Sequence, residues 1–242
     1  MSETIHGICS LSVIPVRKDK SHESELVTEL LFNEIYEIVD ITKEWLKIRI
    51  NDDGYEGWIR RLQHKSITDE EYNVLKSSAI HIIKEPISKY KGLTLSFGTV
   101  INEETEDTET IPDVFCPDIL ITNARKLLNT PYRWGGKTVF GMDCSGFTQL
   151  CAKTAGYMLP RDASQQIKHG NLIYFAQESQ PGDLAFFENE DHNIVHTGIL
   201  LSNNEIIHSS GKIRIDFFDQ TGIFNRETGK YSHFLTAIKR LH

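Results

Sequence analysis

The chain has 242 residues, 39% hydrophobic and 25% charged, a composition ordinary for a soluble globular protein with one large domain or two modest ones. Its formal net charge of −8 argues against a nucleic-acid or anionic-membrane partner, which favours a basic surface. No apolar run approaches the roughly 20 residues that span a bilayer, so no membrane insertion is expected.

The opening MSETIHGICSLSVIPVRKDK lacks the order of a secretory signal. Its basic residues follow the apolar stretch, which Ser12 and Pro15 interrupt. A cytoplasmic protein is expected; a secreted protein trimmed of its signal is the alternative. Cys9, Cys116, Cys144 and Cys151 are scattered without a CxxC pair, the pattern of reduced thiols. No metal and no cofactor are expected. The sequence leaves the oligomeric state open, with a monomer favoured.

Between residues 26 and 62 the pattern is that of short strands. LLFNEIYEIVDI, WLKIRI and YEGWIRRL alternate apolar and polar residues, and NDDG at 51–54 is a hairpin signal between the second and third. Short strands joined by tight turns predict a small antiparallel barrel. PVR at 15–17, the ELLFNE strand and the closing GYEGWI carry a resemblance to bacterial SH3 domains over residues 15–63. That fold hosts many functions and by itself decides none.

In the next block, SITDEEYNVL has helix-start chemistry at Thr68 or Asp69. LTLSFGTVI reads as one strand and NEETEDTET as a solvated acidic loop. The domain division expected is 1–66 for the barrel, 67–112 for an extension and linker packed with it, and 113–242 for a second domain.

From residue 113 the character changes. PDILITNARKLLNTPY predicts a helix with Ile119, Ile121, Ala124, Leu127 and Leu128 on its apolar face, ended by Pro131. DCSGFTQLCAKTAG predicts a second helix, stopped by Gly156. Four strands then follow in PGDLAFFEN, HNIVHTGILLS, NEIIHSSG and FLTAIKRLH. Helices first and an antiparallel sheet second make an α+β domain.

Cys144 opens the second helix, where unpaired N–H groups and the helix dipole lower a thiol pKa. Cys151, two turns further on, is expected to be packing only. A nucleophilic cysteine needs a base, and the base needs a partner that fixes its tautomer. His169, His192, His196, His208 and His233 are the candidates. With a turn at 202–204, adjacent strands bring His196 and His208 onto one face. One histidine takes the thiol proton while the other engages the far ring nitrogen. His192 and His196 do not form a metal pair, because H-x₃-H converges only on a helix.

Six blocks now stand in one order: TPYRWGG (130–136), DCSGF (143–147), LPRDASQQ (159–166), PGDLAFF (181–187), HTGILL (196–201) and IIHSSG (206–211). Together they make residues 113–240 resemble the NlpC-type cell-wall cysteine peptidases, a papain-like family. The resemblance implies Cys144 as nucleophile, His196 as general base and His208 as the orienting residue. It implies Tyr132 near the nucleophile, helping the oxyanion site beside the Cys144 N–H, with packing under the helix as the alternative. Members with an SH3 domain resemble γ-D-glutamyl-L-diamino acid endopeptidases, which act on muropeptides with a free N-terminal L-alanine. By that likeness Asp162 binds the amine, Asp143 and Ser145 hold the D-glutamyl part, and Tyr55 with Glu23 or Glu25 is the barrel's contribution. Tyr55 beside Trp58 reads equally as core. The family often has serine directly after the amine-binding aspartate; here Ala163 stands there and Ser164 follows, which puts the serine's role in question.

The function expected is a cytoplasmic cysteine endopeptidase of murein peptide recycling. The alternatives are a secreted hydrolase of intact peptidoglycan, a non-catalytic wall-peptide binding protein, and an amidase or acyltransferase on the same scaffold.

Overall fold

The computed structural model describes residues 5–77 and 81–242; residues 1–4, part of the stretch read for an export signal, and 78–80 lie outside the described residues. The chain divides into two compact units. The first comprises Met1–Ile111 with Trp134–Val139, and the second Pro112–Arg133 with Phe140–His242. The second division departs from the expected one at Trp134–Val139, and polar bonding explains why. Lys137 Nζ pairs with Glu34 Oε1 at 3.1 Å, the Lys137 N–H donates to Glu29 Oε2 at 2.8 Å, and Trp134 Nε1 donates to Glu25 Oε1 at 2.7 Å. A close backbone approach also requires glycine at Gly135, whose φ is +74° and where a Cβ would meet the Leu26 carbonyl oxygen at 2.2 Å.

In the first unit β1 (His6–Ile8), β2 (Val13–Arg17), β3 (Leu26–Leu31), β4 (Ile35–Ile41), β5 (Trp45–Ile50), β6 (Glu56–Arg60) and β7 (Lys65–Ile67) form one antiparallel sheet. Its order is β3-β2-β6-β5-β4-β1-β7. Alternate residues such as Ile14, Val16, Ile48 and Ile59 point into a common core, as period-two patterning requires. The architecture is the SH3-like fold. LLFNEIYEIVDI is not one strand: Asn33 adopts φ 68°, and Glu34 Oε2 accepts the Leu31 N–H at 2.9 Å, so the chain turns there.

Helix α1 (Asp69–Ser77) begins with a capping box, the Glu71 N–H donating to Thr68 Oγ1 and the Thr68 N–H to Glu71 Oε2. After it come β8 (His81–Ile83), β9 (Ile87–Tyr90), β10 (Leu93–Ser96), β11 (Val100–Ile101) and β12 (Thr108–Thr110). LTLSFGTVI is therefore two strands, broken at Gly98 with φ 80°. The acidic run is not wholly loop either, since β12 at its end pairs with β8. Ile83, Leu95 and Ile101 give this block a small core of its own.

The second unit opens with α2 (Pro117–Lys126). Its buried residues are Leu120, Asn123 and Ala124, with Leu127 just beyond, so the inward face is rotated from the one expected and Leu128 is left exposed. Polar Asn123 belongs inside because its side-chain amide donates to Thr154 Oγ1 at 3.1 Å. The short segments β13 (Lys137–Thr138) and β14 (Gly141–Met142) precede α3 (Cys144–Thr154), buried along its whole length, and α4 (Ala163–Gln166). Gly156 ends α3 with φ +88°, where any Cβ would also meet the Pro112 carbonyl oxygen at 2.4 Å.

Seven strands complete the unit: β15 (Asn171–Ile173), β16 (Leu184–Glu188), β17 (Ile194–Ser202), β18 (Glu205–Ser210), β19 (Lys212–Phe218), β20 (Gly222–Asn225) and β21 (Lys230–Arg240). They run antiparallel in the order β15-β21-β16-β17-β18-β19-β20, and β20 also pairs with β21, closing the sheet on itself. The four strands read from the sequence are β16, β17, β18 and β21. Those it passed over, β15, β19 and β20, are short or follow directly on a glycine turn. Buried α3 packs against β17 and β18. The protein is mostly β, with few helices.

Candidate active site

Asp143 is the N-cap of α3, and its Oδ1 accepts the Gly146 N–H at 2.7 Å. An aspartate cap satisfies an otherwise orphaned donor and makes Cys144 the first helical residue. The helix start is held from two further sides. Buried Arg161 reaches Asp143 with both terminal nitrogens, at 3.0 and 2.6 Å, and donates to Ser145 Oγ at 2.8 Å. Gln166 Nε2 donates to the Ser145 carbonyl at 3.0 Å, and its Oε1 accepts the Thr148 hydroxyl at 2.7 Å. LPRDASQQ thus clamps the first turn of α3. From the sheet, Ser209 Oγ donates to the Met142 carbonyl at 2.7 Å, tying β18 to the residues just before the cysteine.

Cys144 is 6% exposed and its Sγ lies 3.9 Å from the Val195 carbonyl, next to His196 in the chain. At that distance the thiol is only weakly held. Its pKa is not lowered, contrary to the expectation from a helix N-terminus. Burial, reinforced by the Asp143 charge, pushes it up to about 12. The helix dipole is outweighed because burial in a low-dielectric interior disfavours the charged thiolate. Cys151 is fully buried and its thiol is raised further by burial alone.

His196 and His208 sit on one face of adjacent strands. Gly198 of β17 is opposite His208 of β18, which sets His196 on the diagonal. A side chain at Gly198 would place its Cβ 2.8 Å from that of His208, so glycine here is what allows the histidine to stand upright. His196 Nε2 and His208 Nδ1 are 2.8 Å apart, and both rings are buried. His233 of β21 stacks on His196 with ring centroids 4.1 Å apart. Burial lowers all three imidazoles: His196 well below the usual histidine range, His208 downward against the pull of Asp216, and His233 to about 4. Each is a neutral ring at neutral pH.

Asp216, absent from the sequence reading, completes this array. It is fully buried on β19, and His208 Nε2 lies 3.1 Å from its Oδ2. Its Oδ1 accepts the Arg226 N–H at 2.9 Å and Arg214 at 3.1 Å. These donors hold the carboxyl down at about 2 despite burial. The signal available in the sequence was the polar Asp216 set among apolar residues in KIRIDFF, a segment not recognised as a strand.

The other expected residues fall as follows. Half-buried Tyr132 donates its N–H to the Gly211 carbonyl at 2.9 Å, and burial above all, with the Asp143 charge close by, raises its phenol to about 12. Asp162 is half-buried at the N-cap of α4 without bonding that helix through its side chain. Ser164 is exposed. Asp143 and Ser145 are buried in the Arg161 clamp. Tyr55 belongs to the first unit, half-buried against the barrel core. His192 is exposed and bonded to Glu188 at 2.9 Å. Among the described residues, the group with metal-ligand spacing is His196, His208 and His233, with nitrogens within 4.8 Å of one another. A metal ion there would have to displace the hydrogen bond between His196 and His208.

A cysteine at the mouth of a buried helix, packed on an antiparallel sheet that presents paired histidines, defines the papain-like cysteine peptidase class. The comparisons with known proteins agree. Residues 129–231 match the NlpC/P60 family and residues 16–62 match the bacterial dipeptidyl-peptidase Sh3 domain. A γ-D-glutamyl-L-lysine dipeptidyl-peptidase of Bacillus cereus is 28% identical, the match covering 78% of this chain and 68% of that one. Its counterpart in Bacillus subtilis is 25% identical over 77% and 73% of the two chains. The crystal structure of an NlpC/P60 family protein from Bacillus cereus superimposes with a TM-score of 0.80 over 97% of this chain and 99% of that one, at 18% identity, and so shares the fold. The chain thus carries an NlpC/P60 domain over residues 129–231, of the cysteine-peptidase type, and ahead of it a bacterial dipeptidyl-peptidase SH3 domain over residues 16–62.

Proposed function

We propose that the protein cleaves the bond between D-glutamate, linked through its γ-carboxyl, and the diamino acid of cell-wall peptides that carry a free N-terminal L-alanine. The observation that carries this reading is the 2.8 Å contact between His196 and His208, set beside the Cys144 helix mouth. The printed activity of the two Bacillus relatives supports the substrate class.

Cys144 is the nucleophile and His196 the general base, with His208 orienting it. Both reactants rest neutral, so the thiol proton moves to His196 Nδ1 as Sγ bonds to the γ-carbonyl carbon. The Cys144 backbone N–H and the Tyr132 hydroxyl face the developing oxyanion. The imidazolium returns its proton to the departing amine of the diamino acid as the C–N bond breaks. Water then attacks the thioester, giving its proton to His196, and thiol and acid are released. Asp162 pairs with the alanine ammonium, Ser164 flanks it, and Asp143 and Ser145 border the D-glutamyl part. A requirement for a free amine directs the enzyme to released fragments, as in cytoplasmic recycling, rather than to polymeric wall whose stem alanine is amide-linked.

The test is kcat/KM for free and N-acetylated L-Ala-γ-D-Glu-Lys and its diaminopimelate analogue, with products identified by mass spectrometry. Acetylation should cost about two to three decades or more, because it removes the ammonium charge that Asp162 recognises. Asp162→Asn should narrow that gap. Equal rates on both peptides with the wild type would remove the amine clamp and the recycling role together.

A further inference from the structure

The hydrogen-bonded chain from His196 to Asp216 contains a choice that distances alone do not make. A bond between two neutral imidazoles holds one proton, so the pair has two states. In one, His196 Nε2–H donates to His208 Nδ1, leaving a lone pair on His196 Nδ1. In the other the donation runs backwards, His196 carries its proton on Nδ1, and it cannot accept one from a thiol there.

Asp216 makes the choice. Its carboxylate receives Arg226 N–H and Arg214 on Oδ1, and Arg214 Nε also stands 2.8 Å from Oδ2. Arg214 is itself anchored by Glu227 at 2.9 Å. An ionised carboxylate only accepts. His208 must therefore donate from Nε2, its Nδ1 must accept, and His196 must donate from Nε2.

We propose that Asp216 is a positioning residue that fixes the tautomers of both histidines, so that Nδ1 of His196 is the lone pair available to the thiol. Asp216 stays ionised throughout and takes no proton. It restores the negative charge that an imidazole in the third position lacks, one residue further from the sulfur. The proposal rests on Cys144 and His196 being nucleophile and base.

The experiment combines ¹⁵N spectra of the imidazoles in the full-length chain with steady-state kinetics. In the wild type, both Nε2 atoms should be protonated and both Nδ1 atoms bare. Asp216→Asn can present either an N–H or an oxygen to His208. It should mix the tautomers and lower kcat about a hundredfold or more, with little change in KM. Asp216→Glu should restore the wild-type tautomers and part of kcat. A wild-type spectrum with His196 protonated on Nδ1 would overturn the proposal, whether or not the asparagine variant folds. So would a folded Asp216→Asn with unchanged tautomers and kcat. Turnover that survived Cys144→Ala or His196→Ala would instead reject the catalytic assignment beneath it, which separates the two failures.

Discussion

Each unit contains a buried polar network, and the two are built to different ends. In the first, Lys137 and Glu34 have side chains only 4% and 3% exposed; the ammonium meets Glu34 Oε1, Glu34 Oε2 takes the Leu31 N–H, and Glu29 takes the Lys137 N–H. Charge meets charge and the chain of bonds closes on backbone. In the second, the bonds run in one direction from Asp216 through His208 to His196, the residue after Val195, whose carbonyl lies 3.9 Å from the Cys144 thiol. A closed network does nothing but hold its parts in place. An open one holds a lone pair ready, and burial keeps that lone pair unprotonated.

The largest effect expected comes from removing the end of the open network. Cys144→Ala should abolish peptide cleavage and His196→Ala nearly so, with the melting transition little altered. Cys151→Ala, on the same helix, should retain most activity, because its fully buried thiol sits two turns away from the helix mouth. Near-normal turnover by Cys144→Ala would mean that the comparison chose the wrong sulfur.

Breaking the closed network should instead appear in stability. Lys137→Ala leaves the Glu34 carboxylate buried without its cation, at about 3–5 kcal/mol. Chemical denaturation followed by tryptophan fluorescence measures it. A loss below about 1 kcal/mol would show the pair to be solvated in solution.

His208→Gln tests direction within the open network and should be mild, about tenfold in kcat. The amide NH₂ can face Asp216 while its oxygen accepts from His196, preserving the order of donors. A loss as great as that of His196→Ala would show that the amide cannot stand in for the ring.

The smallest effect is in the pH profile. Burial lowers the His196 pKa well below 6.5, and protonation is what disables a base. A lowered pKa keeps the neutral, active form present to lower pH, so the acidic limb of kcat/KM should lie below 6.5. Because the Cys144 thiol is raised to about 12, its alkylation by iodoacetamide should keep rising with pH through the neutral and mildly alkaline range, without a thiolate plateau. An acidic limb above 6.5, or a plateau at neutral pH, would show that water reaches the pair.

Features decided within a few residues were legible in the sequence. The helix start at Thr68 or Asp69, the hairpin turn at 51–54, the helix opening at Cys144 and the glycine stop at Gly156 each depend on local backbone geometry. So did the parity that places His196 and His208 on one face. The tertiary structure decided what depends on neighbours distant in the chain. Which face of α2 turns inward followed from a partner for Asn123 on another helix. The thiol pKa followed from burial, which a helix N-terminus alone does not reveal. Asp216 joined the histidines through strand register, His208 opposite Arg214 and Ile206 opposite Asp216, on a strand that follows directly on the Gly211 turn. Patterning along one strand records which face is buried; which side chains meet on that face is set only when the strands pair.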